Sequence, residues 1–191
     1  MIICICGKSG SGKTTLSSEL KSIYGDKVIH IDVDKIAHEI LLNKEVKEEL
    51  IKQFGVKILN NGFIDRKKLG VIIFNSVFCM NILKEITWKY MKREIDEIIN
   101  KNKENIIILD YLLIYKTDYF NNSDIKILLD IPYEIRKERC ILRDNISEYE
   151  FDLREKSSIE YNKKDFDYIL KSIDEIKKVK FYEKSYLSRK F

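Results

Sequence analysis

The apolar run Ile2-Ile3-Cys4-Ile5-Cys6 ends directly in Gly7-Lys8-Ser9-Gly10-Ser11-Gly12-Lys13-Thr14. The run reads as a buried strand, and the stretch after it fits G-x-x-x-x-G-K-[ST], a loop that wraps a polyphosphate and leads into a helix. The next residues, Thr14 to Ile23, carry apolar side chains at helical spacing. Strand, loop and helix in that order restrict the fold to an α/β layer structure with a phosphate at the strand's carboxyl end. The glycines let backbone N–H groups approach phosphate oxygens closely, and the start of the helix directs its partial positive charge at the same anion. Lys13 is a charge-assisted donor for the terminal phosphates, and the Thr14 hydroxyl suits a Mg²⁺ ion. The nucleotide-contacting set is therefore Gly7, Ser9, Gly10, Ser11, Gly12, Lys13, Thr14 and Thr15, with Thr15 facing an inner phosphate.

At 191 residues the chain suffices for one α/β domain and is short for two. A composition 45% hydrophobic and 35% charged is globular rather than disordered. The net charge of +4 is a mild excess that anionic small molecules explain as well as nucleic acid does, and no basic-aromatic run marks a nucleic-acid surface. Cys4, Cys6, Cys79 and Cys140 form no C-x-x-C pair, which fits a reducing compartment. The N-terminal apolar stretch is too short to span a membrane and lacks the flanks of a signal peptide, so a soluble cytoplasmic protein is expected. Oligomeric state is left open.

Further along, Val28-Ile29-His30-Ile31 is a second strand, ending at Asp32-Val33-Asp34. Lys35 to Asn43 and Glu45 to Phe54 read as helices, Asn60-Asn61-Gly62 as a turn, and Asp65 as the cap of a helix through Phe74. A longer helix is predicted over Val77 to Asn102. Ile106 to Leu109 and Ile125 to Leu129 are strands of the β-branched kind covered on both faces, and Asp167 to Leu170 is a weaker fifth. Helices are predicted over Tyr133 to Arg143 and Ser147 to Tyr161, with a helical lysine-rich tail from Ser172. The alternation implies a doubly wound five-stranded parallel sheet with helices on both faces.

In such a sheet Asp32, Asp34 and Asp110 follow the carboxyl ends of strands, where ligands bind. Three carboxylates beside a phosphate loop repel one another unless a cation or a proton transfer separates them, and Mg²⁺ supplies the cation. Asp110 and Asp32 are candidate metal residues with Thr14. If the strand persists, Asp32 and Asp34 point the same way; one takes a proton from an acceptor hydroxyl while the other steadies the metal or the loop. Arg136, Arg139 and Arg143 share one predicted helix, with Arg139 and Arg143 one turn apart, as in a lid that brings guanidinium groups to phosphates. His30, inside a strand, reads as structural, and His38 has no third partner for zinc. Asn43-Lys44-Glu45-Val46 lacks the final Asp of a guanine-reading N-K-x-D.

The chain resembles the dephospho-coenzyme A kinase family of P-loop kinases. The likeness rests on Gly7 to Thr15, on Asp32-Val33-Asp34-Lys35-Ile36-Ala37-His38-Glu39, on Gly62 to Gly70 with Ile73-Phe74, and on Arg139 to Asp144. It implies the three-layer P-loop NTPase fold and a single kinase domain over 1–191: a core of 1–34, 103–135 and 162–191, a helical substrate-binding region over about 35–102, and a lid over about 136–161. It further implies that ATP with Mg²⁺ phosphorylates the ribose 3′-hydroxyl of dephospho-CoA, with Asp34 matching the proposed base and Lys13, Arg139 and Arg143 acting on the phosphates. Thr87-Trp88, Tyr111 to Tyr115, Lys156 to Ile159 and Leu170-Lys171 depart from the family pattern. The residues alone also admit a kinase of another small hydroxyl acceptor such as a nucleoside or nucleotide, or a nucleotide-binding regulatory protein without transfer activity.

Overall fold

A computed structural model of the chain describes residues 1–179 apart from 112 and 157. In chain order, strand β1 (Ile2–Cys6), helix α1 (Lys13–Tyr24) and strand β2 (Val28–Asp32) lead into helices α2 (Val33–Glu39) and α3 (Lys44–Phe54). A short hairpin of β3 (Leu59–Asn60) and β4 (Phe63–Ile64) precedes helices α4 (Arg66–Phe74) and α5 (Val77–Lys101). The remainder is β5 (Ile106–Asp110), α6 (Asp118–Asn121), β6 (Ile125–Leu129), α7 (Tyr133–Asp144), α8 (Glu148–Lys156) and β7 (Tyr168–Leu170).

Five of these strands form one sheet in the order β2-β5-β1-β6-β7, with every pairing parallel. From the central β1 the chain steps outward to β2, returns to β5, then crosses to β6 and β7 on the other side. The loop after β1 therefore leaves the sheet where the winding reverses, the place at which open α/β sheets bind ligands. Alternation along β1 covers both faces of the sheet. Ile3 and Ile5 pack into a core with Leu16 and Leu20 of α1 and with Ile176. Cys4 and Cys6 point the other way, and the Cys4 thiol lies 3.6 Å from the Tyr119 carbonyl oxygen. Burial pushes the Cys4 thiol up to about 12, so it serves as a small apolar side chain and not as a nucleophile.

The chain clusters into two compact units, Met1–Asp32 with the chain from Asn102 onward, and Val33–Lys101. In the second unit Val46, Leu50 and Phe54 are the buried stripe of α3, and Tyr90, Met91 and Ile95 that of α5. Glu49 ties the two helices together by accepting from the Tyr90 hydroxyl at 2.7 Å and Lys89 Nζ at 3.0 Å. Asn43 caps α3, its Oδ1 accepting from the N–H groups of Glu45 and Val46. Asp65 caps α4 as expected, with Lys67 N at 2.9 Å and Lys68 N at 3.1 Å. The turn between β3 and β4 holds Asn61 at φ 48° and Gly62 at φ 81°, the two positive angles of the hairpin turn that Asn-Gly favours.

Three expectations change. The helix expected from Ser147 to Tyr161 is α8, which ends at Lys156; Ser158 closes it by donating both its N–H and its hydroxyl to the Glu155 carbonyl. Residues beyond it instead join an aromatic cluster in which Tyr115 meets Tyr161, Phe166 and Phe120. The strand geometry expected to carry Asp32 and Asp34 in one direction stops at Asp32, because α2 begins at Val33. The tail is a 3₁₀-helix over Ile173–Lys178, and the rest of that expectation lies outside the described residues. Among the described residues, no helix is long and apolar enough to cross a membrane.

The capping of α4 carries a measurable consequence. Asp65→Ala is expected to lower stability by about 1 kcal/mol, read as a fall in the urea midpoint with the slope unchanged. An unaltered midpoint would show that the cap contributes nothing to the fold.

Candidate active site

The loop between β1 and α1 is held by backbone geometry that only glycine accepts easily. Gly10 has φ +77°, and a Cβ there would sit 2.5 Å from the Arg136 carbonyl oxygen and 2.9 Å from Cys140 Sγ. Gly12 has φ +91° and precedes α1 as its N-cap with no side chain capping the helix. The first turn of α1 thus points backbone donors outward, as an anion site requires. Lys13 Nζ donates to the Gly7 carbonyl at 3.0 Å, folding the cation back over its own loop. Ser11 is fully buried, and its Oγ has no hydrogen-bond partner among the described residues.

Asp110 ends β5 and is 4% exposed, yet its Oδ2 accepts from the Thr14 hydroxyl at 2.9 Å. That bond joins the first turn of α1 to the carboxyl end of the neighbouring strand. Asp32, at the end of β2, stands in register beside Asp110. The two carboxylates lie on adjacent strands and leave the sheet on the same side. Asp34 is in the first turn of α2 and belongs to the unit Val33–Lys101.

The three arginines of α7 have separate partners. Arg136 is buried and donates Nε to the Ile131 carbonyl at 3.0 Å and Nη1 to the Ser9 carbonyl at 3.3 Å. Its fork also pairs with Glu155 of α8, at 2.8 and 2.9 Å. Lys8 completes the group by donating to Glu155 at 3.1 Å and to Glu160 at 2.7 Å. The Arg136 guanidinium, foremost, and Lys8 hold the Glu155 carboxyl below its ordinary value. Arg139 Nη1 reaches the Gly10 carbonyl at 3.4 Å. Arg143 is turned to Asp144, with Nε at 2.7 Å and Nη2 at 3.1 Å. Arg143 and Arg154 bring the Asp144 carboxyl down to about 2.

Sequence reasoning assigned α7 to phosphate contact and did not find the Arg136–Glu155 pair, which lies across two helices 19 residues apart. Ile173 was also missed: its Cδ1 lies 3.0 Å from where a Gly12 Cβ would be, with Arg139 Nη1 3.8 Å from the same point. No pattern in the chain marks that approach, because it depends on how the end of β7 returns over the loop.

Known proteins match this chain in sequence and in fold. The sequence model of the family described as dephospho-CoA kinase fits residues 1–175. The chain belongs to the dephospho-CoA kinase family. Among curated relatives of that name, one from Aquifex aeolicus is 35% identical over 173 residues, covering 88% of this chain and 86% of the relative. Another, from Fusobacterium nucleatum, is 37% identical over 148 residues, covering 77% and 75%. Of solved structures, a dephospho-CoA kinase from Campylobacter jejuni superposes with a TM-score of 0.58 at 25% identity, covering 98% of this chain and 95% of that one. TT1252 from Thermus thermophilus superposes with a TM-score of 0.77 at 23% identity over 100% and 98% of the two chains, a likeness of fold. In this family member the five-stranded parallel sheet, with the glycine-rich loop leaving its central strand, is the P-loop kinase core that the sequence led one to expect.

Removing Glu155 leaves the buried Arg136 charge without its partner, and Glu155→Ala is expected to destabilise the fold by about 3 to 5 kcal/mol at neutral pH. Because the folded carboxyl titrates below its ordinary 4.5, its contribution is complete above that pH and disappears as pH falls through the lowered value. Urea melts of both proteins at neutral pH and in acid check this: the gap between them should narrow on acidification. A gap that is absent at neutral pH, or independent of pH, would contradict the clamp.

Proposed function

We propose that the chain transfers the γ-phosphoryl group of ATP to the 3′-hydroxyl of the dephospho-CoA ribose, forming coenzyme A and ADP in the cytoplasm. The observation that carries this reading is the open first turn of α1 behind Gly12, with Lys13, Thr14 and Asp110 gathered around it, in a chain of the dephospho-CoA kinase family. The backbone of Gly7 to Thr15 cradles the polyphosphate. Lys13, leaving the Gly7 carbonyl, donates to the terminal phosphates and offsets charge that builds on the transferred group. Arg139, already at the Gly10 carbonyl, supplies a second cation. Arg143, one helical turn on, joins it by exchanging Asp144 for phosphate oxygen. Asp34 accepts the proton of the 3′-hydroxyl as the new O–P bond forms and the bond to the ADP oxygen breaks in line.

Thr14, Asp110 and Asp32 are the residues we assign to Mg²⁺. A hydroxyl and a carboxylate 2.9 Å apart, with a second carboxylate in register, form an all-oxygen donor set. Among the described residues no group of three or more His, Cys, Asp or Glu could hold a metal alone, so phosphate oxygens and water must complete the shell. That division suits Mg²⁺, which retains waters and binds through one or two carboxylates with substrate phosphates. When bound it neutralises charge on the β- and γ-phosphoryl oxygens.

The unit Val33–Lys101 supports the acceptor assignment. It holds a largely apolar cavity of about 770 Å³ bounded by Leu41, Leu69, Ile73 and Leu83, with His38, Arg66 and Lys67 as polar members. Arg66 Nη2 meets His38 Nε2 at 3.0 Å. An acceptor with an anionic group and a long, weakly polar arm matches such a lining. The cytoplasmic assignment is supported by four free cysteines, Cys4, Cys6, Cys79 and Cys140.

Incubating the protein with ATP, Mg²⁺ and dephospho-CoA should consume ATP only when the acceptor is present and raise the acceptor's mass by one phosphoryl group. Lys13→Ala should lower kcat roughly 10²- to 10³-fold while leaving the fold intact. Asp34→Asn should lower kcat without weakening ATP binding. Parental turnover by Asp34→Asn would remove that residue as the base, and phosphorylation of another acceptor in place of dephospho-CoA would overturn the substrate assignment.

A further inference from the structure

His30 stands in the middle of β2, between Ile29 and Ile31, where a strand of a buried parallel sheet ordinarily carries an apolar residue. It is in register with Ile108, one pleat before the Asp32–Asp110 pair, so its ring leaves the sheet on the same side as both carboxylates. Its Nε2 is shielded from solvent and makes no hydrogen bond among the described residues. Asp110 Oδ2 lies 3.5 Å from it, and that oxygen is the one that accepts from Thr14.

A buried ring nitrogen with no partner is unfavourable, and a buried carboxylate beside a second carboxylate needs donors. Each group supplies what the other lacks. The separation of 3.5 Å is slightly too long for a good hydrogen bond, and a small rotation of either side chain closes it. Metal-binding carboxylates are commonly oriented by a hydrogen bond from a residue that does not itself touch the metal.

We propose that His30 is a positioning residue for Asp110: its Nε2–H donates to Oδ2 beside the Thr14 hydroxyl, fixes the carboxylate plane for Mg²⁺ and eases the repulsion with Asp32. The proposal rests on the assignment of Asp110 to Mg²⁺ made above. His30 touches neither phosphate nor acceptor; its effect passes through Asp110. Replacing it should change how much Mg²⁺ the protein needs and leave metal-free nucleotide binding alone.

The test compares parent, His30→Leu, His30→Gln and Asp110→Asn, with the double variant His30→Leu/Asp110→Asn. Calorimetric titration measures ATP binding in EDTA and across a Mg²⁺ series, and melting temperature checks the fold. His30→Leu should raise the Mg²⁺ concentration for half-maximal tightening of ATP binding roughly tenfold, with binding in EDTA unchanged. His30→Gln, which keeps a side-chain donor, should recover most of that loss. In the Asp110→Asn background His30→Leu should add little further to the Mg²⁺ requirement, because the carboxylate that His30 positions is gone. If His30→Leu fails to fold, His30→Met takes its place in the same series.

An unchanged Mg²⁺ requirement in the apolar variant, equal losses with and without Mg²⁺, or full additivity with Asp110→Asn would each overturn the proposal. If Asp110→Asn alone leaves the Mg²⁺ requirement unchanged, the metal assignment fails and the role of His30 fails with it. If Asp110→Asn raises the requirement and His30→Leu does not, the metal assignment stands and only the role of His30 is lost.

Discussion

Arg136 directs its hydrogen bonds inward: to the Ile131 carbonyl at the start of its own turn, to Ser9 within the glycine-rich loop, and twice to Glu155 on the next helix. A guanidinium this buried is tolerable only when its donors are met, so the loop, α7 and α8 must assemble together. Gly10 reflects the same constraint from the other side, since a Cβ there would strike the Arg136 carbonyl. The clamp therefore fixes the shape of the turn that must receive phosphate, using backbone oxygens that phosphate does not need. Lys13 and Arg139 are left on softer contacts, each a single bond to a loop carbonyl. The rigid cation shapes the site, and the two less committed ones are available to a ligand.

The acids obey a complementary logic. Asp110 is placed by the end of β5 and held by Thr14, so the hydroxyl and the carboxylate that we assign to the same cation already touch. Asp32 stands beside it in register, at the end of β2. Asp34, two residues later, belongs to a helix in the other compact unit. Proposed metal residues and proposed base are thus split by the change from strand to helix at Val33, which gives the acids different surroundings despite their closeness in sequence. Different surroundings are what separate roles demand of chemically identical groups.

Much of this was legible in the chain because it depends on local rules. The β-branched runs at Val28, Ile106 and Ile125 are strands within a residue of where they were expected, and the Asn-Gly turn and the Asp65 cap follow from short-range hydrogen bonding and positive φ. The loop announced itself through glycine spacing. What escaped notice is nonlocal. Arg136 looks like its neighbours Arg139 and Arg143 in sequence, and only the packing of α8 against the loop separates a buried clamp from an exposed guanidinium. Helical spacing over Ser147 to Tyr161 suggested one helix, whereas Ser158 and the aromatic cluster around Tyr115 end it early. His30 read as structural because its relation to Asp110 exists only across two strands.

The central claim is that the turn after β1 holds the polyphosphate of ATP through its backbone and Lys13. A crystal structure of the protein with Mg²⁺ and a non-hydrolysable ATP analogue tests it most directly. The account predicts phosphate oxygens about 3 Å from the backbone nitrogens of Gly10 to Thr14, with Lys13 Nζ moved from the Gly7 carbonyl to the terminal phosphate. An analogue bound elsewhere, with Lys13 still on Gly7 and the turn empty, would contradict it.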